Sequence, residues 1–232
     1  MTARVIDVES TGIDPAEAKV VSIASIDLNK DGSFYNPMDR TCDPQVPIPP
    51  EASAVHHIID DDVRGRPLFR DVIDQFSGAD VYIAHNAAYE QALLGEALGP
   101  VQWICTMKAA YRVWPDAPGY SNQVLRYWRN LVSPLGVDRK SVQPHDAMSD
   151  VIVTGAVFLE LAKEASFADM VQWTKEPMLF TKFNFGKHKG KSYAELAKDD
   201  PSYLQWIIDK SDMNADVKYS AFHCAYVLWP RR

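Results

Sequence analysis

The chain has 232 residues, nearly half of them apolar, and a formal net charge of −7. That length suits one sizeable domain, or one domain with a small appendage. No apolar run nears the roughly 18 residues of a membrane span, and the acidity excludes a protein that coats nucleic acid indiscriminately.

Residues 4–8 read as a short apolar strand running into Asp7-Val8-Glu9-Ser10-Thr11-Gly12. Side chains two apart on a strand project from one face, so Asp7 and Glu9 converge. Two adjoining carboxylates repel and are costly to desolvate unless a proton or cation joins them. Hard oxygen donors of this kind suit magnesium or manganese. Taken alone, Asp-x-Glu is also common at solvated strand ends. Gly12 allows a turn just beyond. A second strand spans Val20–Leu28, and the Asn29-Lys30-Asp31-Gly32 turn leads to a third near Phe34-Tyr35, an antiparallel hairpin. Cys42, Cys105 and Cys224 are odd in number and far apart, as expected of reduced thiols. With no basic-then-apolar leader pattern, a soluble cytoplasmic protein is expected.

After a proline-rich connection from Pro44 to Pro50, a helix is expected over 66–77. A short strand, Val81–Ala84, delivers His85-Asn86 into a helix running to about Leu98. Glu90 lies one turn inside it. It reads either as an acid favoured near a helix N-terminus or as a third carboxylate facing the first two. A strand at 103–106 and helices at 107–113 and 121–130 follow, then a long helix over 146–165. On a helix, residues five apart point about 140° away from each other. His145 and Asp150 therefore share a site only if His145 sits on the loop after Pro144, a boundary that proline favours. Asp150 then falls in the second turn, flanking the apolar side of Val151, Thr154, Val157 and Phe158. Otherwise the two are a capping or surface pair. Strands first and then strand–helix alternation predict an α/β layered domain with a mixed sheet.

Residues 1–174 carry 14 Lys/Arg against 24 Asp/Glu, whereas 175–232 carry 10 against 7. The segment Thr181–Ser192 interleaves aromatics with Lys182, Lys187, Lys189 and Lys191. It is either a nucleic-acid grip or a solvated hairpin turn. Gly190-Lys191-Ser192 imitates the end of a phosphate-binding loop. Phe185 stands where that loop needs glycine, which excludes a nucleotide triphosphatase. Residues 193–209 read as helical, with Tyr203, Leu204, Trp206 and Ile207 as packing residues.

Asp7/Glu9, His85-Asn86-Ala87-Ala88-Tyr89-Glu90 and His145/Asp150, in that order, resemble the signature of the DEDDh (DnaQ-like) 3′→5′ exonucleases. Ala54-Val55-His56-His57-Ile58, Trp103–Lys108, Tyr120-Ser121-Asn122 and Phe185-Gly186-Lys187 are similar to its exodeoxyribonuclease X branch. Together they cover most of residues 4–210.

The resemblance implies a ribonuclease H-like mixed sheet flanked by helices, with a small C-terminal α+β appendage. The nuclease domain would span 1–166, a connecting segment 167–180 and the C-terminal module 181–232. It further implies a metal-dependent exonuclease that shortens DNA 3′ ends with two Mg²⁺ or Mn²⁺ ions, in repair or turnover. Asp7, Glu9, Asp150 and Glu90 would hold the ions and His145 would act as general base. Ser10, Thr11, Gly12 and His56 would meet the terminal nucleotide, and Lys187, Lys189 and Lys191 would grip the strand.

One departure stands out. The motif usually ends in Phe-Asp where this chain has Tyr89-Glu90, adding about 1.5 Å of reach and favouring a water-mediated or outer role for Glu90. An RNA-trimming or proofreading exonuclease fits the same residues. So does a catalytically weak nucleic-acid-binding scaffold, if Glu90 breaks the site. Oligomeric state is not legible, nor is the choice between single- and double-stranded DNA.

Overall fold

Strand β1 (Ala3–Ser10) lies in the middle of a five-stranded sheet, and the order of the strands explains its burial. In the computed structural model, which describes residues 2–131, 138 and 140–228, that order is β3-β2-β1-β4-β5. β2 (Val20–Leu28) pairs antiparallel with β1 and is buried along its whole length. The turn into β3 (Phe34–Thr41) is closed by the Gly32 N–H donating to Asn29 O at 3.0 Å, with Gly32 at φ 84°. β3 runs further than expected and is an edge strand, where Pro37 is tolerated because no neighbour needs its missing N–H. β4 (Val81–Ala84) and β5 (Gln102–Cys105) run parallel to β1. The C-terminal ends of β1 and β4 therefore open onto the same edge of the sheet.

Three short helices link β3 to β4: α1 (Pro50–His56), α2 (Asp60–Val63) and α3 (Phe69–Val72). The helix expected over 66–77 is only α3 followed by a 3-10 turn at Ile73–Phe76. The expected proline connection also gives way to helix at Pro50, a residue pre-shaped for a first turn. Then come α4 (Ala88–Leu98), α5 (Thr106–Val113), α6 (Asn122–Trp128) and α7 (Ala147–Leu161). The segment expected as a connection at 167–180 begins with helix α8 (Phe167–Lys175). Its Met170 and Val171 belong to the main core.

Alternation along β1 sends Val5 into the core shared with Val151, Val157 and Leu161, and Ile6 and Val8 into the opposite core with Phe76, Tyr82 and Leu94. Asp7 and Glu9 share the face of Val5, which is the face α7 covers. α7 lies close there because Gly155 has no side chain. A Cβ at Gly155 would come within 3.0 Å of the Phe34 ring and 3.5 Å of Val5. At the other end of β1, Arg4 is directly opposite Asp27 on β2. The guanidinium holds that buried carboxylate through Nε at 2.6 Å and a second nitrogen at 2.9 Å.

The C-terminal piece has its own small core of Phe183, Tyr193, Leu196, Leu204, Ile207 and Val217. Its extended pairing, among the described residues, is a single antiparallel bridge between Lys182 and Ser192. The helix expected over 193–209 is two, α9 (Tyr193–Asp199) and α10 (Pro201–Asp209). Pro201 cannot continue α9 but suits the first turn of α10, and the Asp200 side chain accepts the Tyr203 N–H as its cap. α11 (Ala215–Phe222) closes the bundle and passes into a π-helical turn at His223–Leu228. Glu176, just after α8, joins the two cores: its carboxylate accepts from Arg112 and from the Tyr219 hydroxyl, each at 2.9 Å.

Candidate functional site

At the sheet edge where β1 and β4 end, four elements bring ionisable groups together. β1 supplies Asp7 and Glu9. The β1–β2 register shifts between Glu9 and Ser10, a bulge of the kind that re-aims side chains beside functional sites. Ser10 Oγ donates to Gly12 O at 2.9 Å, and the Tyr89 hydroxyl bonds both Ser10 and Gly12, tying the loop after β1 to the start of α4. Gly12 thus serves through its carbonyl. The turn expected of it needs no positive φ, since Gly12 is not among the positive-φ glycines.

β4 delivers the next group through a tight turn in which Asn86 adopts φ 68°, a left-handed conformation asparagine tolerates. No side chain caps α4. Glu90 lies in the first turn of α4, where the helix dipole favours an acid. Glu90 is buried, and its Oε2 has no hydrogen-bond partner. His85 is a structural pin: its ring nitrogens pair with Thr106 Oγ1 at 2.8 Å and Tyr120 O at 2.7 Å. Burial holds it neutral, down to about 4.

The last segment folds as its spacing required. His145 sits in the loop, at φ 60°, and Asp146 caps α7 by accepting the Ser149 N–H. Asp150 lies in the first turn of α7 rather than the second. Its Oδ2 accepts the His145 backbone N–H at 2.7 Å. Among the described residues, ligand atoms of Glu9, His145 and Asp150 lie within 4.8 Å of one another. That cluster shares Glu9 and Asp150 with the expected metal ligands, brings in His145, and leaves Asp7 and Glu90 beside it.

The electrostatics are those of an acid cluster awaiting a countercharge. Burial, then the charges of Glu90, Asp150 and Glu9, push Asp7 well above the carboxylate range. Burial and the charges of Asp150 and Asp146 raise Glu9 from 4.5 to about 8, and burial raises Glu90 as well. Asp150 is raised by burial and partly restored by the His145 N–H. Clustered carboxylates plus a buried carboxylate oxygen without a partner fit a hard divalent cation.

Adjoining the acids is a cavity of about 580 Å³, lined by Glu9, Ser10, Thr11, Gly12, His56 and His145 among others. It thus unites the expected nucleotide-contacting residues. His56, at the end of α1, accepts the Ile58 N–H on Nδ1, leaving the proton on Nε2, a buried donor with no partner. A larger hollow of about 720 Å³ lies where α5 and α8 meet the C-terminal helices, away from the clustered acids. Lys187, Lys189 and Lys191 are exposed on the C-terminal piece and do not line the crevice.

Three participants escaped the sequence reading. Gln123 on α6 reaches Asp150 Oδ1 at 3.5 Å, and Arg126, wholly buried, donates to Gln123 Oε1 at 2.9 Å and to Val142 O at 3.1 Å. Asp146 adds its charge to Asp7 and Glu9. Only the Asp146 position, next to His145 at a helix start, carried a local signal.

Residues 5–158 match the family model described as Exonuclease. The chain belongs to the exonuclease family. Residues 183–212 match a second model, Exodeoxyribonuclease X-like C-terminal. Exodeoxyribonuclease 10 of Escherichia coli (strain K12) is 36% identical over 225 residues, covering 95% of this chain and 97% of that protein. DNA polymerase III subunit epsilon of Salmonella typhimurium is 24% identical over 170 residues, 68% of this chain and 70% of that one. Among solved structures, exonuclease X in complex with 5′ overhanging duplex DNA superposes with a TM-score of 0.63 at 33% identity, covering 74% of this chain and 99% of that one. Escherichia coli exonuclease I with a dA16 oligonucleotide gives a TM-score of 0.56 at 16% identity, over 74% of this chain and 42% of that one. This last likeness speaks for the fold alone. The mixed sheet flanked by helices is ribonuclease H-like, as the exonuclease motifs implied.

Proposed function

We propose that this member of the exonuclease family is a metal-dependent 3′→5′ exonuclease that removes nucleotides from DNA 3′ ends. The observation that carries the reading is the convergence of Asp7, Glu9, Glu90, Asp150 and His145 on one crevice beside a cavity of about 580 Å³. That volume accommodates a terminal nucleotide.

Asp7, Glu9 and Asp150 would hold the divalent ions, Mg²⁺ or Mn²⁺, with Glu90 beside them. When bound, such ions lower the pKa of water and offset charge on the attacking and leaving oxygens. The chain's own part is positioning and proton transfer. Ser10, Thr11 and Gly12, fixed by Tyr89, and the Nε2–H of His56 form the wall against which the terminal nucleotide rests. His145 takes the proton of the attacking water on its ring. Its exposed position lets it pass that proton to solvent, while Asp150 anchors its backbone. Lys187, Lys189 and Lys191 contribute phosphate contacts outside the crevice.

Matched 3′- and 5′-labelled DNA and RNA oligonucleotides, incubated with Mg²⁺, Mn²⁺ or EDTA, test this against an Asp7→Ala control. Metal-dependent shortening of DNA from the 3′ end, absent in the control, is the expected result. Preferential loss of RNA would reassign the substrate. No degradation with either metal would replace the reading by that of a nucleic-acid-binding scaffold.

A further inference from the structure

α10 presents a ring that its own core does not need. Leu204 and Ile207 are fully buried and fill its inward face, whereas Trp206 is 44% exposed. Tyr203 stacks on Trp206, with ring centroids 5.6 Å apart and planes 26° from parallel. On the Tyr203 ring sits the Lys187 ammonium, 4.7 Å from the centroid, brought there by the loop that the Lys182–Ser192 bridge closes. The Lys187 side chain is 64% exposed and pairs only loosely, at 3.4 Å, with Asp200. Lys189 and Lys191 are exposed on the same loop.

We infer that Lys187, Tyr203 and Trp206 form a docking surface for single-stranded DNA, with an unpaired base stacking on the exposed Trp206 and the lysines meeting the adjoining phosphates. This rests on the reading of the chain as a DNA exonuclease and specifies which form of the strand the C-terminal piece holds. The charge argues for the occupant. Lys182, Lys187, Lys189 and Lys191 are exposed on a stretch with no Asp or Glu between Met178 and Ala194, in a chain that is −7 overall. The acids that reach this loop are Asp200, at 3.4 Å from Lys187, and Asp199, at 4.0 Å from Lys191. A polyanion that enters an acidic crevice therefore finds its favourable ground here. The rings argue for the single strand. Every base offers a π-face, but in a duplex those faces are covered by neighbouring pairs, and only unpaired bases are free to stack on a side chain. Lys187 over Tyr203 adds a cation to the same stack.

The test uses the full chain carrying Asp7→Ala, so that the probe survives, and a fluorescent deoxythymidine 16-mer alongside a blunt duplex of equal length. Stacking of one base on an aromatic residue is worth roughly 5- to 150-fold in affinity. Trp206→Gln is expected to weaken binding of the 16-mer within that range, Trp206→Phe to restore most of it, and the blunt duplex to respond little. Lys187→Gln is expected to lower the slope of log affinity against log salt by about 1. Melting temperatures of all variants report whether the C-terminal core is intact. Unchanged 16-mer affinity in both Trp206→Gln and Lys187→Gln, or equal losses on 16-mer and duplex, would overturn the inference. Failure of the exonuclease reading shows separately, as a parent chain with Asp7 restored that leaves labelled DNA intact in Mn²⁺.

Discussion

Glu90 is buried, repelled by its neighbours and short of a partner for one oxygen. Only a proton or a cation relieves such a carboxylate. Glu90→Gln keeps the shape and discards the charge. Above pH 8, where Glu90 must carry its charge in the interior, the metal-free variant is therefore expected to melt at a higher temperature than the parent, while its affinity for Mn²⁺ falls, both measurable by calorimetry. Unaltered Mn²⁺ affinity would remove Glu90 from the ion's surroundings. His145 separates differently, because its ring is exposed and only its backbone is engaged by Asp150. His145→Ala should lower kcat by about 10²–10⁴-fold with little change in KM, which steady-state kinetics on a labelled oligonucleotide would reveal. A loss confined to KM would make His145 a binding residue.

Among the elements, β1 and α7 carry the site, and each depends on a packing detail remote from it. β1 is locked to β2 by Arg4 and Asp27, two buried charges whose partners satisfy each other. Asp27→Ala strands the guanidinium in the interior and is expected to cost about 3–5 kcal/mol, a large share of the roughly 5–15 kcal/mol typical of a domain. A denaturant midpoint within experimental error of the parent would contradict this. α7 owes its approach to Gly155. Gly155→Leu forces the Phe34 ring and Val5 aside at about 1–3 kcal/mol. Because the same helix carries Asp150, activity should fall even where circular dichroism shows the chain folded. An active, destabilised variant would show that Asp150 tolerates the shift.

For the molecule as a whole, the acid cluster sets a pH dependence. Glu9 is raised from 4.5 to about 8, and Asp7, Glu90 and Asp150 move in the same direction. The folded state therefore binds more protons than the unfolded state between those values, and stability falls as pH rises through that window. In EDTA the melting temperature should drop from pH 5 to 8.5, and Mn²⁺ should raise it most at the upper end, where no protons compete. A melting curve indifferent to Mn²⁺ at every pH would argue against a cation site.

Much of this was legible because it is local. The two-residue spacing of Asp7 and Glu9 and the boundary at Pro144 follow from chain geometry, as does the buried run of β2. Gln123 and Arg126 gave no signal, because their roles arise only when α6 packs on α7, some thirty residues away. Tyr203, Leu204, Trp206 and Ile207 looked alike as apolar letters; packing alone separates Trp206 from the buried pair. The helices between Pro50 and Phe76 are too short to leave a period.

The acids of the crevice come from positions 7, 9, 90 and 150, on three elements distributed over most of the nuclease segment. At about 5–20 residues per second of synthesis, Asp150 follows Asp7 by roughly 7–30 s. A nascent chain thus presents its first two carboxylates long before the helix that completes them exists. On the ion-binding role proposed for Asp150, a fragment ending short of it is expected to lack activity, and the order of residues along the chain leaves the crevice incomplete until α7 is made.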